Sequence, residues 1–352
     1  MRLPPPAFRA FQKVQRTCER EDLIPGGGLV VAGVSGGVDS MLMLDFLRLL
    51  QENHPFHLHV CHVNHMIRAG EADLDEALVR DYCRQHRIPV TVFKADAPAY
   101  AREHKTGLEE AGRRLRRDCY TKVGEEVQKE MGAEPAYRIA LAHHLDDRAE
   151  SIIMHMGRGT GLGGLAGIRY RDGRYIRPLL DLRRKDVEQA ARAMALAWRE
   201  DASNLSDRFL RNRVRNQLLP LWEEVFGHDP APLLVRLGDL AREDDRELSA
   251  QALRHLEESL LPDGSLSLPD LQKLPRPLAG RLLQLFAQGG GGEERTPYLL
   301  SERQIDSLLE LCQKVARGEM PRAGFDLPDG RRALISRSWI LINGPERPGR
   351  HI

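Results

Sequence analysis

From residue 29 onward, short apolar runs alternate with longer amphipathic ones. LVVAGV (29–34) ends in Ser-Gly-Gly and reads as a buried strand entering a turn. Residues 38–50 are apolar on almost every side (Met41, Leu42, Met43, Leu44, Phe46, Leu47), which predicts a buried helix. HLHVCHV (57–63) is the next strand. Residues 73–87 follow as an amphipathic helix with Leu74, Ala77, Leu78 and Tyr82 on one face. IPVTVFK (88–94) and YRIALAH (137–143) are further strands, with helices over 108–129 and 146–156. This alternation predicts an α/β fold, a doubly wound and mostly parallel sheet with crossover helices.

The pattern changes after Trp222. Residues 231–260 read as one or two amphipathic helices, with shorter helices at 267–288 and 301–316. GGGG at 289–292 reads as a flexible connection, and 331–344 as a closing strand or hairpin. The expected organisation is an N-terminal extension over 1–26, a larger α/β domain over 27–222, and a smaller, mainly helical domain over 223–352 that ends in a short β element.

Composition sets the class. With 41% hydrophobic and 29% charged residues in 352, the chain is an ordinary globular protein rather than a disordered or fibrous one. No run approaches the ~18 apolar residues that span a bilayer, and the N-terminus lacks a secretory apolar region. Five scattered cysteines form no CxxC pair, so a cytoplasmic, reducing compartment is expected. A net charge of +1 conceals an asymmetry: residues 158–222 hold 14 Lys and Arg against 7 Asp and Glu. Arg208, Arg211, Arg213 and Arg215 are dense enough there for contact with a phosphate backbone. Trp198 is either a base-stacking residue or core.

The sharpest local signal is Ser35, Gly36, Gly37, Val38, Asp39 and Ser40, between strand and helix. Two glycines let the backbone approach an anion, and the helix N-terminus presents N–H groups and a positive dipole end to it. Asp39 beside a phosphate is repulsive unless a divalent cation lies between, which points to Mg²⁺. No Gly-Lys-Ser/Thr follows, so this is not a Walker A loop. The simpler alternative is a glycine turn. Other polar residues fall at strand ends, where a doubly wound sheet gathers its ligands: Asn64 and His65, then His143, His144, Asp146, Asp147 and Glu150. The three acids could instead complement a helix dipole. His57, His59, His62 and His65 lack the Cys or carboxylate partners of a usual zinc set. Arg113 and Arg116, at i and i+3, share a helix face and could neutralise phosphate charge.

The SGGVDS loop resembles the hallmark of the PP-loop ATP pyrophosphatases. The ordered motifs HVNH (62–65), AHHLDDRAE (142–150), RGTGLGGLAGI (158–168), RPLL (177–180), WREDASN (198–204) and RNRVR (211–215) resemble the tRNA(Ile)-lysidine synthetase branch of that group. The resemblance is detailed over about 27–222 and looser beyond, where it implies a helical tRNA-binding domain. It implies ATP-dependent ligation of free L-lysine to C2 of the wobble cytidine of isoleucine tRNA (CAU anticodon), through an adenylated cytidine, releasing AMP and pyrophosphate. It also implies an ATP site over residues 35–40 with Asn64 and His65, and Mg²⁺ at Asp39. Catalytic roles fall to Asp39, Arg113 and Asp147, and substrate or tRNA contacts to His143, Asp146, Arg116, Arg208, Arg211 and Arg215. Gly112, Arg117 and Met66 depart from the family pattern, which commonly has Gly after HVNH. The alternative within the group is a tRNA thiolase, disfavoured by the missing CxxC pairs; a nucleotide-binding sensor without turnover is the alternative outside it. Homodimerisation, the lysine-binding residues and the discrimination against methionine tRNA stay open.

Overall fold

The computed structural model describes residues 3–66, 70–132, 137–199, 210–289, 300–327 and 330–343. It divides into two compact units, 1–239 and 240–352.

The first unit is built on β1 (Leu29–Gly33), β2 (His57–Asn64), β3 (Val90–Lys94), β4 (Arg138–Ala140), β5 (Arg171–Asp172) and β6 (Tyr175–Ile176). Their order in the sheet is β3-β2-β1-β4-β6-β5. All neighbours run parallel except the β5–β6 hairpin. β1 is buried along its whole length because helices cover both faces. Val30 and Ala32 join the core with α2 (Val38–Leu50), and Leu29 and Val31 join Tyr120 and Val123 of α5 (Leu108–Glu130). At the end of β1, Gly33 lets the Tyr120 ring pack closely, since a Cβ there would lie 2.6 Å from it. Also in this unit are α3 (Glu71–His86), α4 (Ala97–Glu103), α6 (Leu145–Met156), α7 (Leu162–Leu165) and α8 (Arg184–Ala193).

The strands and helices expected at 29–156 are all present, within a few residues of their expected ends. The N-terminal stretch is more than an extension. Pro5–Arg20 is a helix, α1, started by proline at its first turn. It buries Ala7, Ala10, Val14 and Cys18 in the core shared with α2 and α8, and Thr17 donates to Asp181 at 2.6 Å. The β5–β6 hairpin and α8 are also additions to the sequence reading.

The chain order moves from β1 outward to β2 and β3, then returns to β4 on the other side of β1. The reversal leaves a crevice beyond the carboxyl ends of β1 and β4, the usual ligand position in such sheets. Further along, α9 (Leu210–Arg213), a five-residue π-helical segment (Val214–Leu218) and α10 (Leu219–Phe226) precede α11 (Pro230–Ser259). Ala231, Leu234 and Val235 of α11 pack with Ile152 and Ile153 of α6. The two units therefore divide inside α11, whereas the change of sequence character lies at 222/223.

The second unit continues α11 and adds α12 (Leu268–Lys273), α13 (Arg276–Ala287), α14 (Glu302–Ala316) and a four-stranded antiparallel sheet. That sheet has the order β7 (Leu266–Ser267), β10 (Trp339–Asn343), β9 (Arg332–Ile335), β8 (Ala323–Asp326). Leu256, Leu282, Leu308, Val315 and Ile340 lie in its core. Of the GGGG run, only Gly289 is among the described residues.

Candidate active site

The loop after β1 folds on itself. The Ser40 hydroxyl accepts from the Ser35 N–H (3.1 Å) and donates to the Gly37 carbonyl (2.9 Å). Gly36 has φ +94°, in the region that favours glycine, and a Cβ there would press on Asp75 at 3.3 Å. Gly37 is the N-cap of α2 and brings no side chain to its N–H groups, so the helix end presents backbone donors and a positive dipole to an anion. Arg199 braces the loop: its N–H donates to the Gly36 carbonyl (3.0 Å) and its side chain to Asp75 (2.7 Å).

Asp39, in the first turn of α2, is paired with Arg184 at the start of α8. Burial raises its carboxyl, while His144 and Arg184 oppose the shift. Its Oδ1 is buried without a hydrogen-bond partner. An orphaned carboxylate oxygen beside an anion loop suits a hard divalent cation. Among the described residues no three His, Cys, Asp or Glu side chains form a metal-holding group, so most ligands of such a cation would be phosphate oxygens and water. Asp146 serves α8 instead of the crevice: it accepts from Arg183 Nε (2.9 Å) and from the Arg184 N–H (2.7 Å).

A second cluster follows β4. His144 caps α6 reciprocally with Asp147, whose carboxylate accepts the His144 N–H at 2.9 Å. Burial works to raise the Asp147 carboxyl, but His144, His143 and Arg211 hold it at about 2. One turn on, Glu150 is fully buried and receives Arg215 Nε at 2.6 Å, with Arg211 Nε at 3.2 Å. Arg215 also reaches Asp147 at 3.1 Å. Desolvation raises the Glu150 carboxyl against the pull of Arg215. Arg215 lies in the π-helical segment, and such widened turns are frequent at functional sites. Removing one member of a buried charge group costs roughly 3–5 kcal/mol, because the other charge stays buried and unpaired. His143 is pushed down to about 4, chiefly by burial, and its Nδ1 has no partner. At neutral pH the ring is uncharged.

The third group follows β2. The Asn64 amide donates to Asp73 (3.0 Å) and its oxygen accepts the Met66 N–H (3.1 Å), so Asn64 shapes the turn. Both ring nitrogens of His65 are buried and unpartnered, and burial with the Arg116 charge pushes it down to about 4. Gly112 packs against that ring. Arg116 is half-buried and Arg113 is exposed, 3.9 Å from Glu110.

The expected loop, Asn64, His65, His143 and Asp147 thus line the carboxyl ends of β1, β2 and β4. Arg211 and Arg215, expected on RNA phosphates, face Glu150 and Asp147. Arg208 lies outside the described residues. Trp198 packs on the core cluster of the sheet rather than standing free for a base. His57 is exposed and His59 bonds Thr91 at 2.9 Å. Arg184, the π-helical turn and the acceptor role of Glu150 were missed; the basic run at 183–185 was the available signal for the first.

The PP-loop domain family matches residues 10–222. The chain is 36% identical over 244 residues to a tRNA(Ile)-lysidine synthase of Caldanaerobacter subterraneus subsp. tengcongensis, covering 69% of this chain and 51% of that protein. It is 32% identical over 344 residues to the tRNA(Ile)-lysidine synthase of Geobacillus kaustophilus, covering 94% of this chain and 70% of that one. The matched region thus spans about half the length of the first relative. In three dimensions it is similar to the U34-tRNA thiolase NcsA from Methanococcus maripaludis, with TM-score 0.52, 20% identity, and 66% and 79% of the two chains covered. At that identity the likeness shows the fold.

Proposed function

The chain belongs to the tRNA(Ile)-lysidine synthase family of PP-loop proteins, and we propose that it ligates free lysine to C2 of the wobble cytidine of a CAU-anticodon isoleucine tRNA. The observation that carries this reading is the convergence of an anion loop with the Asp147–Glu150–Arg211–Arg215 cluster and a neutral His143 at one sheet crevice.

The backbone N–H groups and serines of residues 35–40 would hold the β,γ-phosphates of ATP in the cytosol. Mg²⁺, with Asp39 Oδ1 as its protein ligand, would neutralise phosphate charge. The cytidine O2 attacks the α-phosphorus, pyrophosphate leaves, and Arg116 offsets charge at the crevice wall. The Asp147 carboxylate, ionised at neutral pH, attracts the lysine ammonium, which gives its proton to solvent before it reacts. The freed amine attacks C2 and AMP leaves. Positioning and charge neutralisation supply most of the acceleration. The thiolase alternative lacks its ligand set: the five cysteines lie on five separate elements, four of them buried.

The test is mass analysis of an isoleucine tRNA transcript incubated with the protein, ATP, Mg²⁺ and lysine. One lysyl addition to the anticodon cytidine is expected, with Asp147→Asn at least about 100-fold slower, as for loss of a transition-state charge contact. Sulfur incorporation, or ATP–pyrophosphate exchange that needs no tRNA, would overturn the reading.

A further inference from the structure

Of the described arginines in the expected basic stretch 208–215, Arg213 alone stands exposed. Arg211 and Arg215 are turned onto buried carboxylates. A different set remains at the surface: Arg113 and Arg117 on the first half of α5, and Arg169, Arg171 and Arg174 around the β5–β6 hairpin. They form one continuous face. The Arg117 guanidinium lies 5.0 Å over the Tyr175 ring, and its Nε is 3.4 Å from the Tyr175 hydroxyl. Arg174 reaches Glu125 of α5 at 3.8 Å, and Arg177 donates to the Arg169 carbonyl at 2.7 Å.

Acids offset only part of this charge: Glu125 meets Arg174, and Asp172 lies in the hairpin between Arg171 and Arg174. Glu110 is engaged by Arg114 at 2.9 Å, leaving Arg113 a 3.9 Å contact. The Arg177 guanidinium is lowered by burial first, with Arg117 and Arg113 adding repulsion against the pull of Asp172.

The face begins at the crevice. Arg113 follows Gly112, which packs on His65, and Arg177 follows β6, the neighbour of the strand that leads to His143. From there it continues along the β5 edge of the sheet.

We propose that this arginine ridge grips the sugar–phosphate backbone of the RNA beside the nucleotide in the crevice. The inference rests on the functional reading above and adds the surface. Arginine forks suit phosphate oxygens better than point-charge ammoniums do. Arg113 and Arg117, one helical turn apart, are separated by about 6 Å of helix rise. RNA is read mostly at unpaired loops, where backbone clamps and aromatic or guanidinium planes hold splayed bases.

The test uses the full chain with all four flanking arginines replaced (Arg117→Gln, Arg169→Gln, Arg171→Gln, Arg174→Gln), leaving Arg113 in place. A control removes three positive charges from α1, through Arg9→Gln, Lys13→Gln and Arg16→Gln, all exposed. Affinity for the isoleucine tRNA transcript is measured across salt concentrations, with ATP affinity and thermal unfolding as folding checks. The ridge variant should bind tRNA at least about 10-fold more weakly, with a salt slope shallower by roughly 0.7–0.9 per lost contact, and unchanged ATP affinity. The α1 control should keep the wild-type slope. Wild-type affinity and slope in the ridge variant, or an equal loss in the α1 control, overturn the surface. Absence of tRNA binding by the wild-type chain overturns the functional reading and the surface together.

Discussion

Glu150 shows what a single residue's surroundings decide. In sequence it is one of several acids near a helix start; in the fold it is fully buried and held by two arginines. His65 and His143 are the converse, bases kept neutral by burial and pushed down to about 4. A folded-state value below the unfolded ~6.5 means that the unfolded chain binds the extra protons. Stability should therefore be complete above pH 6.5 and fall as pH drops from 6.5 toward 4, by at most about 1.4 kcal/mol per unit for each histidine. Denaturant titrations at pH 7.5 and 5 check this; the His65→Gln, His143→Gln double variant should flatten the dependence, and an equally steep slope there would refute the assignment. Met66 is simpler. It is an exposed residue at φ +56°, in the left-handed region that favours glycine. Relieving that backbone should offset glycine's unfolded-state entropy, so Met66→Gly is expected to raise stability by up to about 1 kcal/mol. A fall in the unfolding midpoint would count against strain at this turn.

At the scale of elements, apolar periodicity located the helices and strands that bury large side chains. α2 carries leucines and methionines on nearly every position, and its predicted span, 38–50, is the span observed. α1 and α8 were not expected, although their helical period is legible: Ala7, Ala10 and Val14 in one, and Val187, Ala190 and Ala191 in the other, lie on one face opposite charged residues. Their small side chains permit close helix packing. Val14 is 1% exposed in that contact. Val14→Asp should bury an unpaired carboxylate and remove several kcal/mol of stability. Loss of soluble, cooperatively unfolding protein would be the result, whereas Arg16→Asp on the exposed side of α1 should be tolerated. If Val14→Asp unfolds like the wild type, α1 is dispensable to the core. The π-helical turn at Val214–Leu218, which carries the Arg215 that meets Glu150, had no sequence signal.

For the whole molecule, the near-zero net charge is the sum of local excesses that folding redistributes. The basic block at 158–222 was correct as composition and misleading as geometry. Part of it neutralises Asp39, Asp147 and Glu150 at the crevice, part pairs with Asp146 at the start of α8, and another part, at 169–174, stays on the surface. Among the described residues no helix is long and apolar enough to cross a membrane. What the sequence by itself determined was the α/β alternation, the anion loop and the strand-end residues, because period, glycine placement and strand termination are local properties of the chain. What only the tertiary structure decided was which charges meet. Arg184 finds Asp39 across 145 residues and Arg215 finds Glu150 across 65, and these pairings depend on strand order and helix packing, which no local spacing encodes.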